Sequence, residues 1–230
     1  MEPVRISRLR CQRARKRKPG RPTASAGPGL TRERVVAAAL TLVRKEGFEA
    51  VNVRRLAADL GVWAGAVSHH APSKDDLLDD VADILLGACP VAFTARMDWR
   101  KRLRLVVRAL AQIAADNHGF ADWTVTRINL SSPRPNGRAV GLVFREIFLG
   151  AGLSNAKAGA AAVAAHASVL GAIKLSDAVR RSVGGQGEKG EGEGGWPLFG
   201  AGERALVYTP DQILAASLDH LIAAVEAQLP

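Results

Sequence analysis

The 230-residue sequence predicts an all-α fold, a small N-terminal bundle containing a helix-turn-helix followed by a larger C-terminal helical bundle. Three observations lead there. Apolar residues recur at helical spacing through most of the chain, for example Val36, Ala39, Leu40 and Val43. Capping residues and glycines punctuate those stretches. No segment alternates with strand period, and no internal repeat is present.

The first helix is expected over 31–46. The Thr31 hydroxyl can accept from a free backbone amide, and Gly47 suits the left-handed position after the helix. Phe48 can then fold back on Val43. A second, short helix starts after Asn52 as its cap and stops at Gly61. A third runs from about Ala64 to His70, joined to the second by Leu60-Gly61-Val62. Ser73 caps a fourth, with Asp76 three residues on as a weak capping box. Helices near 99–115, 119–130, 137–150, 154–181 and 210–228 follow, with Pro133 and Pro135 breaking the second of these from the third. Leu214, Leu218, Leu221, Ile222 and Val225 stripe the last one.

Charge is distributed unevenly. Residues 1–21 hold nine basic side chains against Glu2, a balance of +8, while the other 209 residues carry 23 basic and 21 acidic groups. The body is therefore nearly neutral and the N-terminus is a cationic arm, broken by prolines and disordered when free. Such an arm suits a polyanion, and its lack of an apolar face disfavours a membrane surface. A second low-complexity stretch, 184–202, has nine glycines in nineteen residues and is expected to be a mobile loop. The expected organisation is an arm over 1–29, a smaller helical domain over 30–90, and a larger helical domain over 91–230.

Several classes are disfavoured. No run of eighteen or more apolar residues marks a spanning helix, and no apolar run follows the basic N-terminus as in a secretory signal. Cys11 and Cys89 cannot build a disulfide framework or a zinc site, which fits a reducing, cytoplasmic location. No serine, histidine and acid stand at catalytic spacing. The glycines of 184–195 follow no strand and lack the Lys-Ser/Thr ending of a phosphate loop. No enzyme activity, cofactor or metal is expected.

The two short helices joined by a glycine turn form a helix-turn-helix, whose second helix is sized for the major groove. Val62, Val67 and Ala71 can face the small core, leaving Ala64, Gly65, Ser68 and His69 outward. Residues 31–86 resemble the DNA-binding domain of the tetracycline-repressor (TetR) family. The likeness rests on Thr31 to Leu40, Glu46-Gly47-Phe48, Val51 to Ala57, Leu60-Gly61-Val62, and His69 to Leu78. The C-terminal part resembles the ligand-binding domain of the tetracycline-repressor branch. That likeness rests on Trp99 to Leu103, Asn117-His118-Gly119, Gly150 to Asn155, Ala167 to Gly171, and Leu214 to Ile222.

The resemblance implies a homodimer that binds a two-fold symmetric double-stranded operator and releases it when a small molecule enters a C-terminal pocket. By analogy the effector is a multi-ring, antibiotic-like compound, and the target a resistance or export gene. It places Asn52, Val53, Trp63, Ala64, Gly65, Ala66, Ser68 and His69 at DNA, with Arg54, His70 and Lys74 on phosphates. Arg21, in Gly20-Arg21-Pro22, suits a minor groove. Ser68 and Trp63 depart from the family's usual tyrosine and small polar cap. No Arg, Asn or Gln sits on the recognition helix, so direct base readout is expected to be thin.

Alternatives accompany these assignments. His69 and His70 could be a metal pair, but adjacent helical residues diverge and no carboxylate follows at the fourth position. His166 is either a satisfied core histidine or a ligand-facing one. His118, Trp123, Arg127 and Asn129 cluster as pocket candidates, although core packing explains Trp123 equally well. Ala160, Ala161, Ala164, Ala165 and Ala167 allow a close helix approach, either between two subunits or within one. An architectural DNA-binding protein dominated by its arm, with no effector, is the main rival reading.

Overall fold

The computed structural model describes residues 29–94, 96–127, 134–184, 196–197 and 207–229. The expectations for residues 1–28 of the arm, including Arg21, for Asn129 and for most of the 184–202 loop therefore lie outside the described residues.

Nine helices account for most of the described residues. They are α1 (Arg32–Glu46), α2 (Val53–Leu60), α3 (Ala64–His70), α4 (Lys74–Leu86), α5 (Trp99–Asp116), α6 (Phe120–Arg127), α7 (Pro135–Ala151), α8 (Asn155–Gly184) and α9 (Pro210–Glu226), with a 3-10 turn at Phe48–Ala50. Their ends follow the punctuation. Thr31, Asn52 and Ser73 each accept from a backbone amide three residues on. Gly61 closes α2 in the left-handed region at φ 65°.

The start of α7 differs from expectation: it begins at Pro135 rather than 137, because proline at the first helical position loses no hydrogen bond and already has helical φ. Helix α9 starts on Pro210 as expected, behind a full capping box between Thr209 and Gln212. One two-residue antiparallel ladder, β1 (Trp196–Pro197) with β2 (Val207–Tyr208), was not anticipated.

One main apolar core runs through the molecule, beside a small second cluster of Ala172, Val179 and Ile213. Val35, Val43, Leu56, Val67, Leu77 and Leu78 fill the N-terminal part, and Leu103, Phe144, Ile147 and Phe148 the C-terminal part. Helix α4 contributes to both, packing on α1 and on α7. Helix α8 packs between α7 and α9. Contrary to the sequence expectation, its stretch Asn155–Val179 is long and apolar enough to cross a membrane, with mean hydropathy 1.5. Here it is a core helix: Ala158, Ala162, Ala165, Val169 and Ile173 are buried. Lys174 pairs with Asp122 of α6 at 2.7 Å.

Candidate DNA interface and effector pocket

The helix-turn-helix is α2, the Gly61 turn and α3. The Val62 amide donates to the Ala57 carbonyl at 2.9 Å, which sets the angle at which α3 leaves the turn. Val67 and Ala71 are buried beneath α3, and Val62 is half-buried. Trp63, Ala64, Ser68 and His69 are exposed, and Gly65, Ala66 and His70 are partly so. Asn52 is exposed at the start of α2, with Val53 half-buried beside it. Two cations flank this face. Arg54 and Lys74 are exposed and make no hydrogen bond or ion pair among the described residues. Arg55, by contrast, is held by Glu46 at 2.7 Å and Asp59 at 3.5 Å.

The two imidazoles of His69 and His70 meet edge to face, 5.2 Å between centroids. They do not diverge as helix geometry alone suggested. Among the described residues, no three His, Cys, Asp or Glu side chains are grouped to hold a metal.

Behind α3, a cluster of charges joins the head to the rest of the molecule. Helix α4 presents Asp75, Asp76, Asp79, Asp80 and Asp83. Arg32 of α1 donates to Asp76 and Asp80, both at 2.5 Å, and to the His70 carbonyl at the end of α3 at 3.0 Å. Arg134, at the start of α7, reaches Asp76 at 2.6 Å, Asp80 at 2.8 Å and Asp79 at 3.5 Å. Bonds from Arg32 first, then Arg134, hold the Asp76 carboxyl below the usual carboxylate range. Arg127 of α6 pairs with Asp75 and Asp79.

A second joint is apolar. The Phe48 amide donates to the His118 carbonyl at 2.9 Å, and the Phe48 ring lies 6.0 Å from Phe120 and 6.2 Å from Trp123. Gly47 and Gly119 meet there with φ of 91° and 82°.

A cavity of about 290 Å³ opens between α4, α5, α6, α7 and α8. Leu110, Phe120, Val140, Phe144 and Ile173 form its apolar wall, and Asp79, Asp83, Arg127 and Arg134 its charged rim. The Trp123 indole donates to Asp79 at 3.1 Å, and Arg127 stacks over the same indole at 4.6 Å. Asp83 accepts from the Gly137 amide at 2.7 Å.

Of the sequence candidates, Trp123, Arg127 and His166 line this cavity. His166 faces it with Nδ1 2.8 Å from the Ala162 carbonyl, so it is both satisfied and pocket-facing. Its ring meets Phe144 edge-on at 4.5 Å. Burial lowers its pKa, against the opposing pull of the Ala162 and Val140 carbonyls.

His118 requires a correction. It is exposed and outside the cavity lining, because Gly119 turns the chain so that His118 faces Gly47 instead. Sequence reasoning also missed Asp79, Asp83, Arg134 and Phe144. On sequence alone Asp76 serves only a weak capping box, and Arg134 stands between the two prolines expected to break one helix from the next.

The helix-turn-helix thus stands on an all-helical body that encloses a cavity. Residues 35–81 match the family model of bacterial regulatory proteins, tetR family. Three curated relatives are similar. An HTH-type transcriptional regulator of Saccharopolyspora erythraea is 26% identical over 153 residues, 66% of this chain and 64% of that protein. The HTH-type transcriptional repressor DrrR1 of Streptomyces coeruleorubidus is 40% identical over 63 residues, 27% and 23% of the two chains. The tetracycline repressor protein class C of Escherichia coli is 39% identical over 77 residues, 33% and 35% of the two. The match thus spans less than two thirds of each relative's length. Among solved structures, ActR of Streptomyces coelicolor in complex with actinorhodin superposes with TM-score 0.66 at 20% identity, covering 87% of this chain and 98% of that one. BioQ with its double-stranded DNA operator gives 0.62 at 22%, covering 86% and 99%. At such identities the likeness is one of fold.

Proposed function

We propose that this regulator is a homodimeric repressor that leaves a two-fold symmetric operator when a small molecule occupies the α4–α8 cavity. One observation carries the proposal. The carboxylates of α4 that receive Arg134 from the cavity rim also receive Arg32, which holds the end of the recognition helix. An occupant that displaces Arg134 therefore changes what Arg32 can hold. Two half-sites one turn apart, roughly 34–36 Å, leave little tolerance for a shift of the two heads.

The cavity lies at the low end of the size range of small-molecule sites, about 300–1,000 Å³. Its flat aromatic walls suit a planar ligand, with any larger scaffold extending past the charged rim. The multi-ring effector and a resistance or export target follow from this and from the relatives' names. The DNA contacts are Arg21 of the arm, Asn52, Val53 and Arg54 of α2, and Trp63 through Lys74 around α3. Trp123, Arg127, Asn129 and His166 contact the effector. The division at residues 30, 90 and 91 places α4 on the DNA-binding side, although its acidic face is also the cavity wall. The outward face of α8, with Ala160, Val163, Ala164, Ala167 and Leu175 exposed, suits close packing against a second copy. Operator binding places the protein in the cytoplasm and requires no catalysis.

The test is a nuclease footprint on the DNA flanking the protein's own gene at physiological salt. A compact, symmetric protected site is expected. Diffuse protection that fades as salt rises sinks this proposal in favour of an architectural role led by the arm.

A further inference from the structure

We propose that Trp63 is the specificity-determining residue of the recognition helix, and that it selects thymine. This rests on the operator-binding proposal above.

Trp63 immediately precedes α3, and its side chain makes no capping bond. It is 68% exposed, the most exposed of the large apolar side chains described. A tryptophan this open would ordinarily be free to move, but this one has a seat. A Cβ placed on Gly65 would lie 1.8 Å from Trp63 Cζ3, 2.4 Å from Cη2 and 2.5 Å from Cε3. The benzene edge of the indole thus occupies the space that any other residue at position 65 would fill. Glycine weakens a helix interior by roughly 0.5–1 kcal/mol relative to alanine, and φ at Gly65 is not positive, so the backbone does not require it. What Gly65 provides is room for the indole across the first turn of the helix.

The seating also orients the ring. Cε3 and Cζ3 lie across the indole from Nε1, so the N–H edge points away from Gly65. Trp63 therefore presents an apolar face and a single donor, with no acceptor. In the major groove, thymine alone pairs an acceptor, O4, with a methyl group. Guanine offers two acceptors and no methyl. Adenine sets a donor beside its acceptor, and cytosine offers a donor that opposes the indole N–H. The neighbouring outward residues, Ala64, Ala66 and Ser68, are too short to compete. Arg54 and Lys74 flank the same face and supply the charge that holds a duplex against it.

The experiment uses the full-length protein and the half-site defined by footprinting. Each thymine, in both half-sites, is replaced by uracil, which lacks the methyl, and separately by 5-methylcytosine paired with guanine, which keeps the methyl but presents a donor. Affinities are read by fluorescence anisotropy at one salt concentration. At one thymine per half-site, uracil is expected to weaken wild-type binding about fourfold, the worth of one buried methyl group. The 5-methylcytosine pair is expected to weaken it further. Trp63→Ala removes both effects at that position and no other. Gly65→Ala, which displaces the indole while favouring the helix, does the same. Trp63→Phe keeps the uracil effect and loses the additional penalty. The proposal is overturned if Trp63→Ala feels every thymine as wild type does, or if no thymine methyl matters to the wild type. Absence of any compact protected site is a different result and sinks the operator reading itself.

Discussion

Arg32 and Arg134 share two carboxylates. They come from different parts of the fold, α1 and the start of α7, and both bond to Asp76 and Asp80 on α4. Their contributions should therefore not be independent. Arg32→Gln and Arg134→Gln are each expected to destabilise the protein modestly, because these pairs are partly solvated. In a double-mutant cycle followed by urea unfolding, the two should couple by about 0.5–1 kcal/mol. Additivity would show that the carboxylates serve each arginine separately. The same variants, assayed on the operator, should weaken DNA binding in the order Arg32 before Arg134, since only Arg32 holds the His70 carbonyl.

His166 gives the cavity a pH dependence. Its pKa is lowered in the folded state by burial, from an ordinary value of 6.5. A native state that refuses a proton which the unfolded chain accepts loses stability as pH falls. That loss begins near pH 6.5 and continues down to the lowered native value, and nothing is lost above. Asp76 does not contribute in this window, because its own pKa lies below 3.8. Comparing wild type with His166→Gln between pH 7.5 and 5 isolates the effect. Parallel stability curves would place the imidazole in a more open environment than the cavity wall.

The head-to-body joint at Gly47 tolerates no side chain. A Cβ there would sit 2.9 Å from the His118 carbonyl oxygen, on a backbone with φ 91°. Gly47→Ala should cost about 1–3 kcal/mol, the usual range for such backbone strain. It should also disturb the Phe48–His118 hydrogen bond. A thermal melt reads the first effect. A melting temperature within a degree of wild type would mean that the joint is looser than its geometry implies.

The arm is tested by salt. If residues 1–21 cover about six phosphates, deleting them should flatten the slope of log K against log salt by about five. An unchanged slope assigns the whole electrostatic contribution to the folded part.

Much of this fold was legible because its helix ends are written in the chain. Thr31, Asn52, Gly61 and Ser73 each do locally what their side chains or backbone favour. The helix-turn-helix followed for the same reason. The cavity was harder. Trp123, Arg127 and His166 stood out as isolated chemistry, but Trp123 and Arg127 reach the cavity through Asp79, 44 and 48 positions away. Arg134 illustrates the difficulty: its partners lie 54 and 58 positions away, on a helix whose acidic face looks solvated when taken alone. His118 misled for the opposite reason. It sits next in sequence to a pocket helix, yet Gly119 turns it toward the head.

The shared carboxylates bear on engineering as well as on control. Regulators of this architecture invite the construction of chimaeras, in which one protein's DNA specificity is joined to another's chemical sensitivity. In this chain a cut between α3 and α4 would sever Arg32 from Asp76 and Asp80, and Phe48 from its place against Phe120. A head transplanted at that cut would be deaf to the cavity. A working sensor would have to inherit the arginine on α1 and the glycine–phenylalanine step after it together with the helix that receives them.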